Sequence, residues 1–244
     1  MILAVDVGNT RIKAAVFEES TLLESFVFLK TELEKSIHNI LNKHKKITQL
    51  VVSSVSEVEK QAFSNFEDSI NIHFVSHKDA FPFVNGYETP QTLGIDRMVL
   101  AAGATLKYPN QNRLVIDAGT CITYDFIDET DNYIGGAISP GLLLRYESLH
   151  HFTAKLPLMT LDNPKRLIGK STSESIHSGV VNGLVFEIEG YIEELRSQYS
   201  KFIIILTGGD SVFLAKRLKN TIFANSNFLL ESLNQTFQYK IKND

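Results

Sequence analysis

Three groups of residues in this chain have the types and spacing that chemistry on a phosphate requires. The first is Asp6-Val7-Gly8-Asn9-Thr10-Arg11-Ile12-Lys13. A carboxylate ending an apolar run can hold a hydrated magnesium ion, because that metal is satisfied by one or two carboxylates plus phosphate oxygens. Gly8 lets backbone approach a ligand closely, exposed N–H groups of a turn bind phosphate oxygens, and Lys13 adds a point charge. Read alone, the octet fits an ordinary Gly-Asn hairpin equally well. The second group, Asp117-Ala118-Gly119-Thr120, follows the apolar run Leu114-Val115-Ile116 and repeats the design. Two turns of one kind indicate an internal duplication, and two facing copies can clamp a nucleotide from both sides. The third is Gly94-Ile95-Asp96-Arg97, which opens an apolar stretch of small residues. An acid at a helix start is favoured by the dipole whatever its role. Asp96 can also serve as a base, beside an Arg97 able to hold a substrate carboxylate in a fork.

Other candidates have plainer explanations. Thr207-Gly208-Gly209-Asp210 suits bare backbone lying against a base or ribose, and equally a glycine turn with Asp210 capping the next helix. The seven histidines are scattered without metal-binding spacing, and His150-His151 reads as a cationic helix end. Cys121 is the only cysteine, which excludes an intrachain disulfide and a multi-cysteine metal site, and it reads as a small core residue. No Gly-x-Ser-x-Gly elbow or Walker lysine motif occurs.

The elements that must position these groups follow from the hydrophobic pattern. Met1–Val5 and Ala14–Phe17 read as buried strands with the polar octet mostly a turn between them, and Leu22–Leu29 as a third strand. Thr31 is expected to cap a helix through Lys43, with Glu34 completing a capping box and Leu33, Ile37, Ile40 and Leu41 on one face. A strand over Leu50–Val55, a helix over Glu57–Phe66 and a strand over Ile70–Val75 follow. Ser76–Gly94 reads as a long loop, of the kind that is commonly functional. It delivers the chain to Asp96 and Arg97 at the start of a packed helix. The turn cluster Pro109–Asn112 is the expected boundary between lobes. Beyond it come strands near 114–117, 122–127 and 133–138, a Gly135-Gly136 turn, and a helix from Leu142 to His150. After a loop over Phe152–Gly169, a long helix spans roughly Thr172–Gln198. Gly179, Gly183 and Gly190 interrupt it and suggest close packing against a neighbouring helix or a twofold partner. Phe202–Leu206 reads as a strand, the turn at Thr207–Asp210 leads to a helix through Leu218, and an amphipathic helix over Phe223–Lys240 ends the chain.

At 244 residues, 43% of them apolar, the chain can build one large or two moderate cores. A formal charge of −4 gives no sign of a nucleic-acid binder, and Lys45-Lys46 reads as a solvated helix end. The start has no basic n-region or small-residue cleavage site, and no apolar run is long enough to span a bilayer. These features lead us to expect a soluble, cytoplasmic protein with no membrane and no nucleic-acid partner.

The paired Asp-Gly turns resemble the actin, sugar-kinase and Hsp70 superfamily. The ordered set Asp6–Lys13, Tyr87–Pro90, Gly94–Arg97, Asp117–Thr120, Gly135-Gly136 with Pro140-Gly141-Leu142, Gly169–Thr172 and Thr207–Asp210 resembles the type III pantothenate kinases over nearly the whole chain. The resemblance implies an α/β fold of two duplicated actin-like, ribonuclease H-like lobes, residues 1–112 and 113–244. Each would be a mixed sheet with flanking helices, with an ATP cleft between them and a dimerisation helix in the second. It implies transfer of the γ-phosphoryl of ATP to pantothenate, the first step toward coenzyme A, by a homodimer. Asp6, Val7, Gly8, Asn9, Thr10, Arg11, Ile12 and Lys13 would hold the phosphates, with Asp6 on magnesium through water, and Thr120 would touch ATP. Asp96 would be the base. Tyr87, Gly94, Ile95, Arg97 and Thr172 would shape the pantothenate site, and Asp117 would bind potassium or ammonium. Ile95, Thr89 and Ser171 depart from the residues common in that family. A sugar or other alcohol kinase, a non-catalytic regulatory relative and an actin-type filament protein are the competing readings.

Overall fold

The structure, a computed structural model, describes residues 1–8, 11–53, 60–199, 201–220 and 222–243. Asn9, Thr10, Ser54, Val55 and the first residues of the helix expected from Glu57 lie outside them. The chain forms two compact units. One comprises Met1–Asn110, Glu129–Ile134 and Asn227–Asp244, the other Gln111–Asp128 and Gly135–Ser226. No helix among the described residues is long and apolar enough to cross a membrane.

The first unit is built on strands β1 (Ile2–Val7), β2 (Arg11–Glu18), β3 (Thr21–Leu29), β4 (Gln49–Ser53) and β5 (Asn71–Phe74), in the sheet order β3-β2-β1-β4-β5. β1 runs antiparallel to β2 and parallel to β4. Its Leu3, Ala4 and Val5 are fully buried, as expected of a central strand covered on both faces. Strand pairing extends further than the apolar runs indicate. Asp6 pairs with Lys13 and Val7 with Ile12, so the octet read as mostly turn is mostly strand over its described residues. Helix α1 (Leu33–Lys43) buries Leu33, Ile37 and Ile40, whose spacing puts them on one face. Its start differs from expectation. A 3-10 turn over Lys30–Glu32 precedes it, and Glu32, not Thr31, occupies the cap position. The Glu32 carboxylate accepts the Leu29 N–H at 3.0 Å.

The long loop after β5 holds only a short strand β6 (Val84–Asn85) and a 3-10 turn over Pro90–Thr92 before α2 (Ile95–Lys107). Helix α2 packs along the C-terminal helix Phe228–Asn243. A Cβ on Gly103 would stand 2.4 Å from the Ser232 Cβ, so the missing side chain sets how closely the helices cross. Lys107 and Glu231 add an ion pair at 3.7 Å.

The second unit carries β7 (Arg113–Ala118), β8 (Cys121–Ile127) and, from Gly135 on, β9 (Asn132–Pro140), whose first three residues belong to the first unit, with helix α3 (Leu142–His151) following. Helices α4 (Thr172–His177) and α5 (Gly183–Gln198) follow, then β10 (Ile203–Thr207), α6 (Ser211–Ala215) and β11 (Phe223–Ala224). The strand order is β11-β10-β7-β8-β9. β7 is antiparallel to β8 and parallel to β10. The first residues of β9, Asn132 and Tyr133, pair with β6 in the first unit's own segment. Leu114, Ile116 and Ala118 alternate onto one face with Ile122, Tyr124 and Phe126. That face meets Ile176, Val180, Leu184, Ile188 and Ile192, an i,i+4 stripe.

α4 and α5 form the expected long helix, joined through a widened π-helical turn over Ser178–Asn182. Ser171 caps it, its side chain accepting the Glu174 N–H. A Cβ on Gly179, Gly183 or Gly190 would meet nothing within 4 Å, so packing within the chain does not explain these glycines. Gly135 and Gly136, expected in a turn, lie inside β9. Gly135 has φ +137°, a backbone conformation that side-chain-bearing residues rarely adopt.

Candidate active site

In the first unit, Asp6 is the second-to-last residue of β1 and only 7% exposed. Its neighbours across the sheet are Lys13 on β2 and Ser53 on β4. The fully buried Ser53 donates its hydroxyl to Asp6 Oδ1 at 2.8 Å. Burial pushes the Asp6 carboxyl from its ordinary 3.8 to about 6, the Ser53 hydrogen bond opposes that rise, the charge of Asp96 adds to it and Lys13 lowers it. Such a buried carboxylate, with one oxygen fixed by a hydroxyl, is suited to a small hydrated cation. A Cβ on Gly8 would stand 2.9 Å from the Arg11 carbonyl oxygen, so the reversal excludes a side chain there. Val7 and Ile12 point into the core and Arg11 is exposed. Asn9 and Thr10 lie outside the described residues.

Asp96 is the second residue of α2, which Gly94 caps. It is half-buried, and its Oδ1 accepts the Arg97 N–H at 2.9 Å. A Cβ on Gly94 would stand 2.4 Å from that oxygen, so glycine is what lets the carboxylate occupy this place. The chain before it is held by His77, whose Nε2 bonds the Leu93 carbonyl at 2.8 Å. Arg97 is buried, with its guanidinium 5.9 Å from the centroid of the Tyr87 ring. Tyr87 in turn meets Tyr133 edge-on at 6.1 Å. The fold thus gathers Asp6, Lys13 and Asp96 in one region and Tyr87, Gly94, Ile95 and Arg97 around the start of α2. Ser53 and His77 were not singled out in the sequence, though Ser53 carries a readable sign, a small polar residue ending an apolar strand.

In the second unit, Asp117 is the second-to-last residue of β7, the position that Asp6 has in β1. Thr207 of β10 and Thr123 of β8 flank it in register. The next turn is tight, with the Gly119 N–H bonding the Cys121 carbonyl at 3.0 Å and Thr120 exposed at its tip. Two glycines press bare backbone onto it. A Cβ on Gly141 would lie 2.1 Å from the Gly119 carbonyl oxygen, and one on Gly208 (φ +95°) 2.4 Å from Asp117 Oδ1. Behind this turn, Glu187 accepts hydrogen bonds from Tyr124, Ser139 and Arg145, and Arg145 Nε also donates to the Pro140 carbonyl at 2.8 Å. Burial raises the Glu187 carboxyl, but these bonds outweigh it and hold the group below its ordinary range. Burial and the Glu187 charge push the Tyr124 phenol up. Thr172 is exposed at the first position of α4. No group of three or more His, Cys, Asp or Glu side chains suited to a metal occurs among the described residues.

The chain matches the family model described as type III pantothenate kinase over residues 2–194. It is 72% identical over 244 residues to the type III pantothenate kinase of Flavobacterium johnsoniae, covering 100% of both chains. To that of Flavobacterium psychrophilum it is 62% identical over 240 residues, covering 98% of this chain and 100% of the other. Among solved structures, a Baf family protein from Campylobacter jejuni superposes with a TM-score of 0.66 at 20% identity, covering 98% and 99% of the two chains. A glucokinase from an Antarctic psychrotroph superposes at 0.51 and 11%, covering 97% and 98%. The fold is therefore that of the actin-like sugar kinases, with two mixed sheets. The chain belongs to the type III pantothenate kinase family.

Proposed function

We propose that this protein transfers the γ-phosphoryl group of ATP to the primary hydroxyl of pantothenate, forming 4'-phosphopantothenate in the first step of coenzyme A biosynthesis. The observation that carries the reading is the pair of unlike carboxylates in the first unit: a buried Asp6 with a raised pKa, and within its electrostatic reach a half-exposed Asp96 at a helix start. Phosphoryl transfer asks mainly for positioning and charge stabilisation. In this reading Asp96 accepts the proton of the attacking hydroxyl. Arg97 and Tyr87 fix the carboxylate end of pantothenate, an acid that a guanidinium fork suits, and Thr172 adds a contact. Lys13 and the backbone of the Gly8 turn bind phosphate oxygens, and Thr120 touches the nucleotide. Asp6 would hold magnesium through water, and that ion, when bound, neutralises charge on the phosphates. Asp117 would hold potassium or ammonium. Its donor set fits a hard monovalent cation, since the adjacent Thr207 hydroxyl is buried and finds no hydrogen-bond partner among the described residues.

The protein acts as a cytoplasmic homodimer in this reading, with no nucleic-acid or membrane partner. The support is the outer face of the α4–α5 helix, where Gly179 and Gly190 leave open space and Phe186 is 59% exposed. The test is phosphate transfer from labelled ATP across a panel of pantothenate, hexoses and simple alcohols. Labelled phosphopantothenate is expected. Label on a hexose alone would make the chain a sugar kinase, and no transfer to any acceptor would favour a regulatory role.

A further inference from the structure

Thr207 closes β10 and is 1% exposed, and its Oγ1 has no hydrogen-bond partner among the described residues. A buried hydroxyl in that state is uncommon and calls for an explanation. In the parallel pairing of β10 with β7 it stands opposite Asp117, and paired residues on adjacent strands present their side chains to the same face. The Asp117 carboxylate leans toward this end of β10, because a Cβ on Gly208 would come within 2.4 Å of its Oδ1. The two groups are nevertheless not hydrogen-bonded to each other. Thr123, the neighbour on the other side, is already engaged, donating to Asp125 Oδ2 at 3.2 Å. A hydroxyl carries two lone pairs, and hard cations select oxygen ligands.

We propose that the Thr207 hydroxyl is a direct oxygen ligand of the monovalent cation assigned above to Asp117; the inference rests on that assignment. The cation would sit between a carboxylate and a hydroxyl that otherwise leaves its lone pairs unused, and the Gly208 conformation would hold both in place. The glycine turn after β10 then has a second task beside any contact with the nucleotide.

The test is thermal unfolding against potassium concentration, at constant ionic strength kept with tetramethylammonium chloride and without nucleotide. A ligand that binds only the folded state raises its melting point, so the wild type is expected to be stabilised by potassium. Asp117→Asn should lose the effect. Thr207→Val should weaken potassium binding about tenfold or more, since loss of even an outer-shell partner costs a metal site on that order, and Thr207→Ser should restore it. Without potassium, Thr207→Val should be no less stable than wild type, since it removes an unsatisfied hydroxyl. If Asp117→Asn keeps the full response, the cation assignment itself fails and the inference with it. If that variant loses the response while Thr207→Val keeps wild-type affinity, the inference alone fails. Should Thr207→Val not fold, rubidium anomalous density in wild-type crystals decides. A peak bonded to both side chains supports the inference, and one bonded to Asp117 alone overturns it.

Discussion

Replacing Asp6 with Asn should make the metal-free protein more stable at neutral pH while ending its activity. The Asp6 carboxyl is raised from 3.8 to about 6, chiefly by burial. Between those two values the folded state still holds a proton that the unfolded chain has released, so stability falls as pH rises through that window, and the loss is complete above about pH 6. Each pKa unit corresponds to about 1.4 kcal/mol, so a rise of roughly two units amounts to about 3 kcal/mol. Asn keeps the shape and can still accept the Ser53 hydroxyl, so little else changes. Urea unfolding of wild type and Asp6→Asn, with a chelator and no nucleotide, should give equal stabilities near pH 4. The variant should gain about 3 kcal/mol by pH 7.5, an upper bound if the site relaxes. Magnesium with ATP should stabilise the wild type and not the variant. A stability difference that does not change with pH, or a variant less stable at pH 7.5, would refute the claim that this carboxylate is held charged at a cost to the fold.

Three further outcomes follow from the same geometry. Asp96→Asn should fold and bind ATP but lose a factor of about 10² to 10⁴ in kcat, measured by initial rates and calorimetric titration; near-normal turnover removes Asp96 from the mechanism. Gly94→Ala, which brings a Cβ to 2.4 Å from Asp96 Oδ1, should cut kcat about 100-fold through misplacement of the carboxylate, with helix content by circular dichroism unchanged. Phe186→Asp, on the exposed face of α5, should convert a dimer into a monomer by light scattering, and an unchanged mass would move the dimer contact elsewhere.

Much of this was legible in the sequence because the relevant signals are local. An apolar run ending in Asp marks a strand that delivers a carboxylate to its tip, and both Asp6 and Asp117 sit one residue from a strand end. The Gly94 cap and the i,i+4 stripe from Ile176 to Ile192 could be read the same way. What was not legible depends on pairing across the sheet. Lys13 is polar yet lies in β2 because the ladder with β1 continues past the apolar residues, and Arg11 because it pairs with Leu29 of β3, so the polar pattern alone makes the turn too long. Gly135-Gly136 has turn composition but lies inside β9, which the sheet pairs with β8. The Thr31 cap lost to Glu32, which found the Leu29 N–H after a 3-10 turn. Ser53 and Thr207 take their interest from the carboxylate next to them on an adjacent strand, and no spacing along the chain reports that. The amphipathic pattern of the last helix shows that one face is buried without naming α2 and Gly103 as its partners.

The most direct test of the account is a crystal structure of the protein with pantothenate, magnesium and a non-hydrolysable ATP analogue, read at one distance. The primary hydroxyl of pantothenate should lie about 2.6–3.2 Å from an Asp96 carboxylate oxygen and face the γ-phosphorus. A hydroxyl resting against any other base, or pantothenate bound with that hydroxyl pointing away from Asp96, would contradict it.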